Sequence, residues 1–165
     1  MPVVSINEAL ALLPARGALI GLDLGSKTIG VAASDPDRRL AAPVETILRK
    51  RFAVDAEHLF KLAAERRAIG FVLGLPVNMD GTEGPRAQST RAFARNLAKL
   101  TALPIALWDE RLSTAAALRS ARAAGVRDRD SRARIDQMAA VAILQHWLDA
   151  MKAGGTGARG HGGPA

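Results

Sequence analysis

Three apolar runs in close succession constrain the fold of this 165-residue chain more than any other feature. The runs cover residues 18–24, 28–34 and 40–48, and the turn sequences Gly-Ser-Lys and Asp-Pro-Asp lie between them. Turns of this length join neighbouring strands into hairpins, which pair antiparallel. The first run is apolar on both faces, which is typical of a central strand. The sequence therefore predicts a sheet that begins with three antiparallel strands.

Helical and strand patterns alternate through the rest of the chain. Strands are predicted over residues 69–74 and 104–108, and helices over 52–67, 86–100, 114–124 and about 134–151. Alternation of this kind places helices against both faces of a sheet. We therefore predict an α/β fold with a mixed five-stranded sheet, whose first three strands are antiparallel, and with helices on both faces.

One domain is expected to cover most of the chain, over residues 17–151. Residues 1–16 are predicted to form an N-terminal extension with a short helix that ends at Pro14. Residues 126–134 are predicted to form a charged loop. The Gly-rich basic segment at 152–165 is expected to be a flexible tail, because it has too little apolar surface to bury.

The composition limits the partners and the compartment. A net charge of +7 and an isoelectric point near 11.0 favour an anionic partner, although a basic protein from an Arg-rich proteome would look the same. The absence of cysteine excludes disulfides, thiolate zinc sites and cysteine nucleophiles, and it fits a reducing compartment. No apolar run is long enough to span a bilayer, and the N-terminal segment lacks the basic start of a signal peptide. We therefore expect a cytoplasmic protein without a membrane partner.

Three carboxylates stand in apolar surroundings that are typical of a protein core. Asp23 lies in the first apolar run, Glu110 follows the strand predicted at 104–108, and Asp136 opens the apolar pattern of the last helix. An ionised carboxylate in a core is costly unless a positive charge lies beside it. A cluster of such groups in a basic protein indicates a divalent metal ion and phosphate chemistry.

Each carboxylate also has a simpler explanation. Asp23 shares a strand face with Gly21, but its side chain could instead cap the following turn. Glu110 could form a salt bridge with Arg111 or with another arginine at the end of the strand. Asp136 is predicted in the first turn of its helix, where the helix dipole favours a carboxylate.

Basic residues near these acids are candidates for contacts with a phosphate backbone. Arginines are concentrated between Glu110 and Asp136, at positions 119, 122, 127, 129, 132 and 134. The residues predicted to bind nucleic acid are Lys27, Arg111, Arg127, Arg129, Arg132 and Arg134. The alternative is a solvated turn lysine and a solvated loop balanced by its own aspartates. The loop at 78–84 either flanks the substrate or forms only a structural Asp-Gly turn.

Four sequence blocks together resemble the YqgF family of pre-16S rRNA nucleases, which are also described as Holliday-junction-resolvase-like proteins. The blocks are GLDLGSKTIGVA at 21–32, GLPVNMDGTEG at 74–84, DERLST at 109–114 and IDQMAAVAILQ at 135–145. They occur in the family's order and extend over most of residues 17–150. Thr28 and Ser113 depart from the commonest family residues, but neither is an acidic position. The resemblance implies a ribonuclease H-like fold in which Asp23, Glu110 and Asp136 map onto the family's acidic site.

The resemblance also implies a function. It predicts a metal-dependent endonuclease that acts on structured RNA and matures the 5′ end of pre-16S rRNA during ribosome biogenesis. Two Mg²⁺ or Mn²⁺ ions about 3.5–4 Å apart would serve such a reaction, with Asp23 as the bridging ligand and Glu110 and Asp136 each completing one metal. The expected partners are an rRNA precursor and ribosomal particles, and the expected assembly is a monomer or a weak homodimer.

The sequence leaves other functions open. A Holliday junction resolvase would use the same chemistry on branched DNA. The residues at 23–28 also resemble the first phosphate loop of actin-like kinases and chaperones, although those proteins need a second nucleotide domain, for which this chain is too short. A non-catalytic nucleic-acid-binding module is the third alternative, and the presence of all three acids argues against it.

Overall fold

The structure is a computed structural model that describes the backbone of residues 3–160 and the side chains of residues 3–154. The strands are β1 Val3–Val4, β2 Ala18–Leu24, β3 Thr28–Ser34, β4 Ala41–Leu48, β5 Ala68–Leu75 and β6 Ile105–Asp109. The α-helices are α1 Ile6–Leu12, α2 Phe52–Glu65, α3 Pro85–Ala98, α4 Ala115–Gly125 and α5 Arg129–Gly160. A short 3₁₀ helix, Glu110–Leu112, connects β6 towards α4.

The strands form one mixed sheet in the order β1-β6-β5-β2-β3-β4. The β2–β3 and β3–β4 pairs are antiparallel, as the two short turns predicted, and the remaining pairs are parallel. The predicted number of five strands is wrong, because Val3 and Val4 in the N-terminal extension add a sixth strand beside β6. A two-residue strand has no periodicity of its own, and only the distant partner β6 defines it.

Helices cover both faces of the sheet, as predicted. Helices α2 and α3 pack on one face, and α1, α4 and α5 pack on the other. Every residue of β2 is buried, which fits its place inside the sheet. The side chains of Ile20 and Leu22 belong to the core on the α2–α3 side, whereas Leu19 belongs to the core on the α5 side. Asp23 has the parity of Leu19 and is therefore directed towards α5.

Helix α5 is longer at both ends than the sequence patterns predict. It begins at Arg129, so the predicted loop over 126–134 is wrong for most of its length. Asp128 caps this helix, because its carboxylate accepts the backbone N–H of Ser131 at 2.9 Å. The helix continues to Gly160, where the sequence predicted a tail, and no proline interrupts it before Pro164. The last residues of that predicted tail, 161–165, lie outside the described residues.

Within residues 3–160, no helix combines the length and the apolar character that a membrane span requires, and this includes α5.

Helix α5 lies unusually close to the sheet because glycines face it. A Cβ atom on Gly30 would lie 2.0 Å from the main-chain oxygen of Asp136, and one on Gly21 would lie 2.7 Å from Cβ of Leu144. Gly30 is the β3 partner of Asp23 on β2. The close packing of α5 against Gly30 of β3 therefore brings Asp136 near Asp23.

Candidate active site

The structure places the three predicted acidic residues in one region of the fold. Asp23 lies near the C-terminal end of β2, and Glu110 is the first residue of the 3₁₀ helix after β6. Asp136 lies in the second turn of α5, not in the first turn as predicted, because α5 begins earlier. Their exposed fractions are 5%, 4% and 6%, so all three carboxylates are buried. The placement of Asp136 beyond the first turn removes the helix-terminus explanation for it.

A pocket of about 410 Å³ opens beside these acids. Asp23 and Asp136 form part of its wall, and the β2–β3 turn, the first turns of α3 and the middle of α4 form the rest. The basic and hydroxyl residues that line it are Ser26, Lys27, Thr28, Arg49, Arg86, Ser89, Thr90, Arg119 and Arg122. The pocket therefore combines carboxylates with a larger number of cationic side chains.

Two arginines from α4 are paired with the three acids. Arg119 donates through Nη2 to Oδ1 of Asp23 and through Nη1 to Oε1 of Glu110. Nε of Arg122 lies 2.8 Å from Oδ1 of Asp136, and Oγ1 of Thr28 donates to Oδ2 of the same carboxylate at 2.9 Å. Each of these three acids therefore has a guanidinium group beside it, which offsets the burial of its charge, although Nε of Arg122 makes no hydrogen bond.

Glu110 has the most unusual electrostatic setting of the three acids. Burial raises its pKa to about 7, while the charge of Arg86 acts to lower that pKa and the charge of Asp109 acts to raise it. Its Oε2 atom is buried and has no hydrogen-bond partner. Burial also lowers the pKa of Arg119 to about 10. The unsatisfied oxygen gives Glu110 the capacity to bind a further cation or donor.

The donor atoms fit a hard divalent cation, but their present arrangement does not enclose one. Carboxylate and hydroxyl oxygens from Asp23, Glu110, Asp136 and Thr28 are the ligands that Mg²⁺ and Mn²⁺ prefer. Across the part of the chain that the structure describes, no three acidic or histidine side chains are grouped closely enough to hold an ion. The guanidinium of Arg119 lies between two of the donors, so a metal site here requires that side chain to move.

Of the six basic residues predicted to bind nucleic acid, only Lys27 lines the pocket. The other five are Arg111, Arg127, Arg129, Arg132 and Arg134. Arg127 lies between α4 and α5, and the next three lie in the first two turns of α5. These four arginines, which exclude Arg111, lie at or near the protein surface. In the sequence they lie between Glu110 and Asp136. Their predicted contact with nucleic acid stays a prediction.

Arg111 is held by the protein itself. Its guanidinium pairs with Asp109 at 2.7 Å and donates to the main-chain oxygens of Asn78 and Met79. The loop at 78–84 closes on itself as well, because Asp80 accepts the N–H and the hydroxyl of Thr82. The structural explanation therefore accounts for the loop's hydrogen bonds, and the salt bridge proposed for Glu110 is made with Arg119 instead of Arg111.

Four arginines of the pocket are absent from the residues predicted to bind nucleic acid, and two of them, Arg49 and Arg86, were missed by sequence reasoning altogether. The other two are Arg119 and Arg122. The last two belong to the predicted arginine cluster, and their i, i+3 spacing places them on one face of α4. The register of the β3–β4 hairpin could have placed Arg49 at the pocket. Its backbone N–H donates to the main-chain oxygen of Lys27, one residue beyond the last strand pair. No local signal marks Arg86, because its position depends on how α3 packs.

The mixed sheet with its three antiparallel strands and helices on both faces has the topology of a ribonuclease H-like fold. The solved structure of Thermus thermophilus RuvC in complex with a Holliday junction substrate has the same fold, with a TM-score of 0.50. That alignment covers 82% of this chain and 96% of the other at 12% identity, so it supports the fold alone.

The family described as "RuvX: Holliday junction resolvase" matches residues 17–150, and this chain belongs to it. A protein of Rhodopseudomonas palustris (strain TIE-1) named "Putative pre-16S rRNA nuclease" is 65% identical over 152 residues, which cover 92% of this chain and 94% of that protein. A Bradyrhizobium protein (strain BTAi1) of the same name is 63% identical over 152 residues, with coverages of 90% and 92%. The predicted YqgF resemblance is confirmed, and the chain is a member of a nuclease family.

Proposed function

We propose that this protein is a metal-dependent endonuclease that hydrolyses phosphodiester bonds in structured RNA and matures the 5′ end of pre-16S rRNA. The observation that carries this proposal is the meeting of three buried carboxylates, from β2, the end of β6 and α5, beside a pocket rich in cations. Removal of these charges from water costs free energy, and the arginine pairs still leave one buried oxygen of Glu110 without a partner. Binding of a further cation would account for that oxygen.

Asp23, Glu110 and Asp136 would hold Mg²⁺ or Mn²⁺, two ions with substrate bound, and Asp23 would be the shared ligand. When bound, such ions activate water and neutralise charge on the reacting phosphate. The unsatisfied Oε2 of Glu110 supports this assignment, because a bound cation would give that buried oxygen a partner.

The pocket's own residues would bind and orient the substrate backbone. Lys27 and Arg86 line the pocket from the β2–β3 turn and from α3, so they approach a bound strand from two sides. Ser26 and Ser89 add hydroxyl donors on the same walls. Contacts of this kind read phosphates and not bases, so the fold of the RNA would define the cleavage position.

The substrate assignment rests on the relatives. Both reported relatives carry a name that refers to pre-16S rRNA, and both align along nearly their whole length. The net charge of +7 suits a polyanionic partner, and Arg127, Arg129, Arg132 and Arg134 would extend the contact beyond the pocket. We further propose that the protein acts in the cytoplasm on ribosomal precursor particles, as a monomer or a weak homodimer.

A Holliday junction resolvase is the second candidate, because the matching family is described by that activity and a fold neighbour was solved with such a junction. The same acids and cations would serve both substrates. The two functions differ in the substrate alone and therefore can be tested side by side.

The test is cleavage of an end-labelled rRNA precursor and of a four-way DNA junction by the same preparation, with Mg²⁺, Mn²⁺ or EDTA. We expect one defined RNA product with either metal and none with EDTA. Glu57→Gln is the matched control for Asp23→Asn, because it removes one negative charge from an exposed position on α2. Cleavage of the junction alone would favour the resolvase. RNA cleavage that persists in EDTA or in Asp23→Asn would reject the acidic site.

A further inference from the structure

We propose that Arg119 and Arg122 are internal counter-cations that neutralise the acidic site before a divalent ion enters, and that the ion must displace them. The inference rests on the proposed function in one respect, which is that Asp23, Glu110 and Asp136 bind a divalent cation. It adds a residue-level competition that sets the affinity of the site. The two arginines and the helix that carries them, α4, are called the arginine arm below.

The contacts of the arginine arm cover the same oxygens that a metal would need. Arg119 reaches Oδ1 of Asp23 and Oε1 of Glu110 with its two terminal nitrogens, so one guanidinium bridges two acids. Its side chain is only 17% exposed, which places the charge inside the site and not at its rim. Nε of Arg122 forms an ion pair with Oδ1 of Asp136 at 2.8 Å without a hydrogen bond, so all three acids have a guanidinium neighbour.

An independent observation shows that this pairing is incomplete. Oε2 of Glu110 is buried without a hydrogen-bond partner, although Glu110 is 96% buried. A guanidinium satisfies one oxygen of this carboxylate and leaves the other unsatisfied. A spherical ion with several coordination positions can satisfy both oxygens of a carboxylate, so an exchange of cations would remove the defect.

Arg119 and a divalent ion cannot share the site at low energetic cost. A guanidinium and an ion that both contact Asp23 and Glu110 would lie a few ångströms apart, where like charges repel strongly in a poorly hydrated site. Their relation is therefore competitive. Removal of the guanidinium charge should raise metal affinity, provided that the carboxylates stay in place.

The arginine arm is attached to the fold lightly enough to move. Ala115 is the one fully buried residue of α4, at its first turn, and the following residues are partly or fully exposed. A Cβ atom on Gly125, at the other end, would find no atom within 4 Å. Leu118 is the other side chain of α4 that packs against this core, and it is only partly buried. Movement about Ala115 would therefore expose mainly Leu118 while it withdraws both guanidinium groups.

The displaced arginines have a second anionic partner available. Both line the pocket that also contains Lys27 and Arg86, where substrate phosphates would lie under the proposed function. Guanidinium groups bind phosphate oxygens in the same forked geometry that they use for carboxylates. The arm would thus transfer its two charges from the acids to the nucleic acid, so metal and substrate would favour each other's binding.

The test is equilibrium binding of Mn²⁺ alone, followed by the electron paramagnetic resonance signal of the free ion. The proteins are the wild type, Arg119→Gln, Arg119→Lys and the surface control Arg95→Gln. We expect the dissociation constant of Arg119→Gln to fall by about tenfold or more, because the repelling charge is gone. Arg119→Lys keeps the charge and should stay close to wild type, as should Arg95→Gln, whose charge is distant and screened by salt.

Mn²⁺ affinities of the four proteins distinguish competition by Arg119 from the presence of the metal site itself. Equal Mn²⁺ affinity in the wild type and in Arg119→Gln would overturn the competition and leave the metal site standing. Absence of Mn²⁺ binding in all four proteins would overturn the metal assignment itself and the competition with it. A gain of affinity in Arg95→Gln as large as that in Arg119→Gln would also overturn the inference, because net charge would then be the cause.

A second measurement leaves both arginines in place and covers the case in which Arg119→Gln does not fold. The chain has no cysteine, so Ser120→Cys provides a single position for a spin label on the exposed side of α4. Addition of Mg²⁺ alone should increase the mobility of this label as the arm withdraws. An unchanged spectrum at saturating Mg²⁺ would overturn the inference.

Discussion

The main-chain oxygen of Asp136 lies 2.0 Å from the position that a Cβ atom on Gly30 would occupy. Gly30 is in turn the strand partner of Asp23. Because Gly30 has no side chain, α5 can pack directly on β3. This packing determines how closely the carboxylate of Asp136 approaches that of Asp23. The fold and the candidate site depend on the same contact.

Gly30→Ala should disturb both stability and activity. The added methyl group would meet main-chain atoms of α5, which cannot rotate away as a side chain could, so the helix must shift. We expect a loss of about 1–3 kcal/mol in the free energy of unfolding, the usual cost of overpacking, together with reduced cleavage. Urea unfolding and the RNA cleavage assay measure the two effects.

Gly125→Ala is the matched control for this substitution, because a methyl group there meets no atom within 4 Å. At the end of α4, alanine should be neutral or stabilise the protein by up to about 1 kcal/mol. If Gly30→Ala unfolded at the same urea concentration as the wild type, the close approach of α5 to β3 would not hold.

Asp23→Asn should abolish cleavage while RNA binding is kept or becomes stronger. The substitution removes a negative charge from the pocket and a ligand from the proposed metal site. Metal ions supply several kcal/mol of charge stabilisation, and each 1.36 kcal/mol is a factor of ten in rate, so the loss should be about a hundredfold or more. Single-turnover cleavage and filter binding on one RNA separate the two effects, and retained cleavage would contradict the assignment of Asp23.

Asp35 should contribute to stability in a pH-dependent way. Its Oδ1 accepts the backbone N–H groups of Arg39 and Leu40 at 2.8 and 2.9 Å, and the hydrogen bond from Leu40 is the main cause of its lowered pKa. The folded pKa lies below the ordinary value of 3.8, so the stabilisation is complete above that pH and is lost as the pH falls through the folded pKa.

Urea unfolding of the wild type and of Asp35→Asn from neutral to acidic pH checks this prediction. The wild type should be more stable at neutral pH, and the difference should narrow only below pH 3.8. A difference that stays constant across the range would show that the charge of Asp35 has no part in the stability of this turn.

Local patterns in the sequence predict the parts of the fold that depend on near neighbours. The short turns after Leu24 and Ser34 predict the two antiparallel pairs, and the parity of Leu19 and Gly21 predicts the face on which Asp23 lies. The start of α5 was missed although its signal is local. Asp128 and Ser131 form a helix cap, but the surrounding charges are more typical of a loop.

Contacts between distant segments could not be predicted in the same way. Arg119 and Asp23 are 96 residues apart, and nothing near either residue specifies that they meet. Val3 and Ile105, which pair between β1 and β6, are similarly far apart in the sequence. The residues around Val3 therefore give no local signal for a strand. The sequence thus indicated which acids meet, whereas the arginines that neutralise them follow only from the packing of α4 against the site.

Replacement of Arg129 and Arg132 by alanine should weaken RNA binding and reduce its dependence on salt. Both side chains lie in the first turn of α5, outside the pocket, where they would contact phosphates as point charges. Loss of two phosphate contacts should reduce the slope of log affinity against log salt by roughly 1.4–1.8. Lys61→Ala with Arg95→Ala removes the same charge from α2 and α3 and should leave the slope unchanged. Binding isotherms over a range of salt concentrations distinguish the two pairs, and an unchanged slope for Arg129 and Arg132 would make the start of α5 a solvated surface instead of a binding surface.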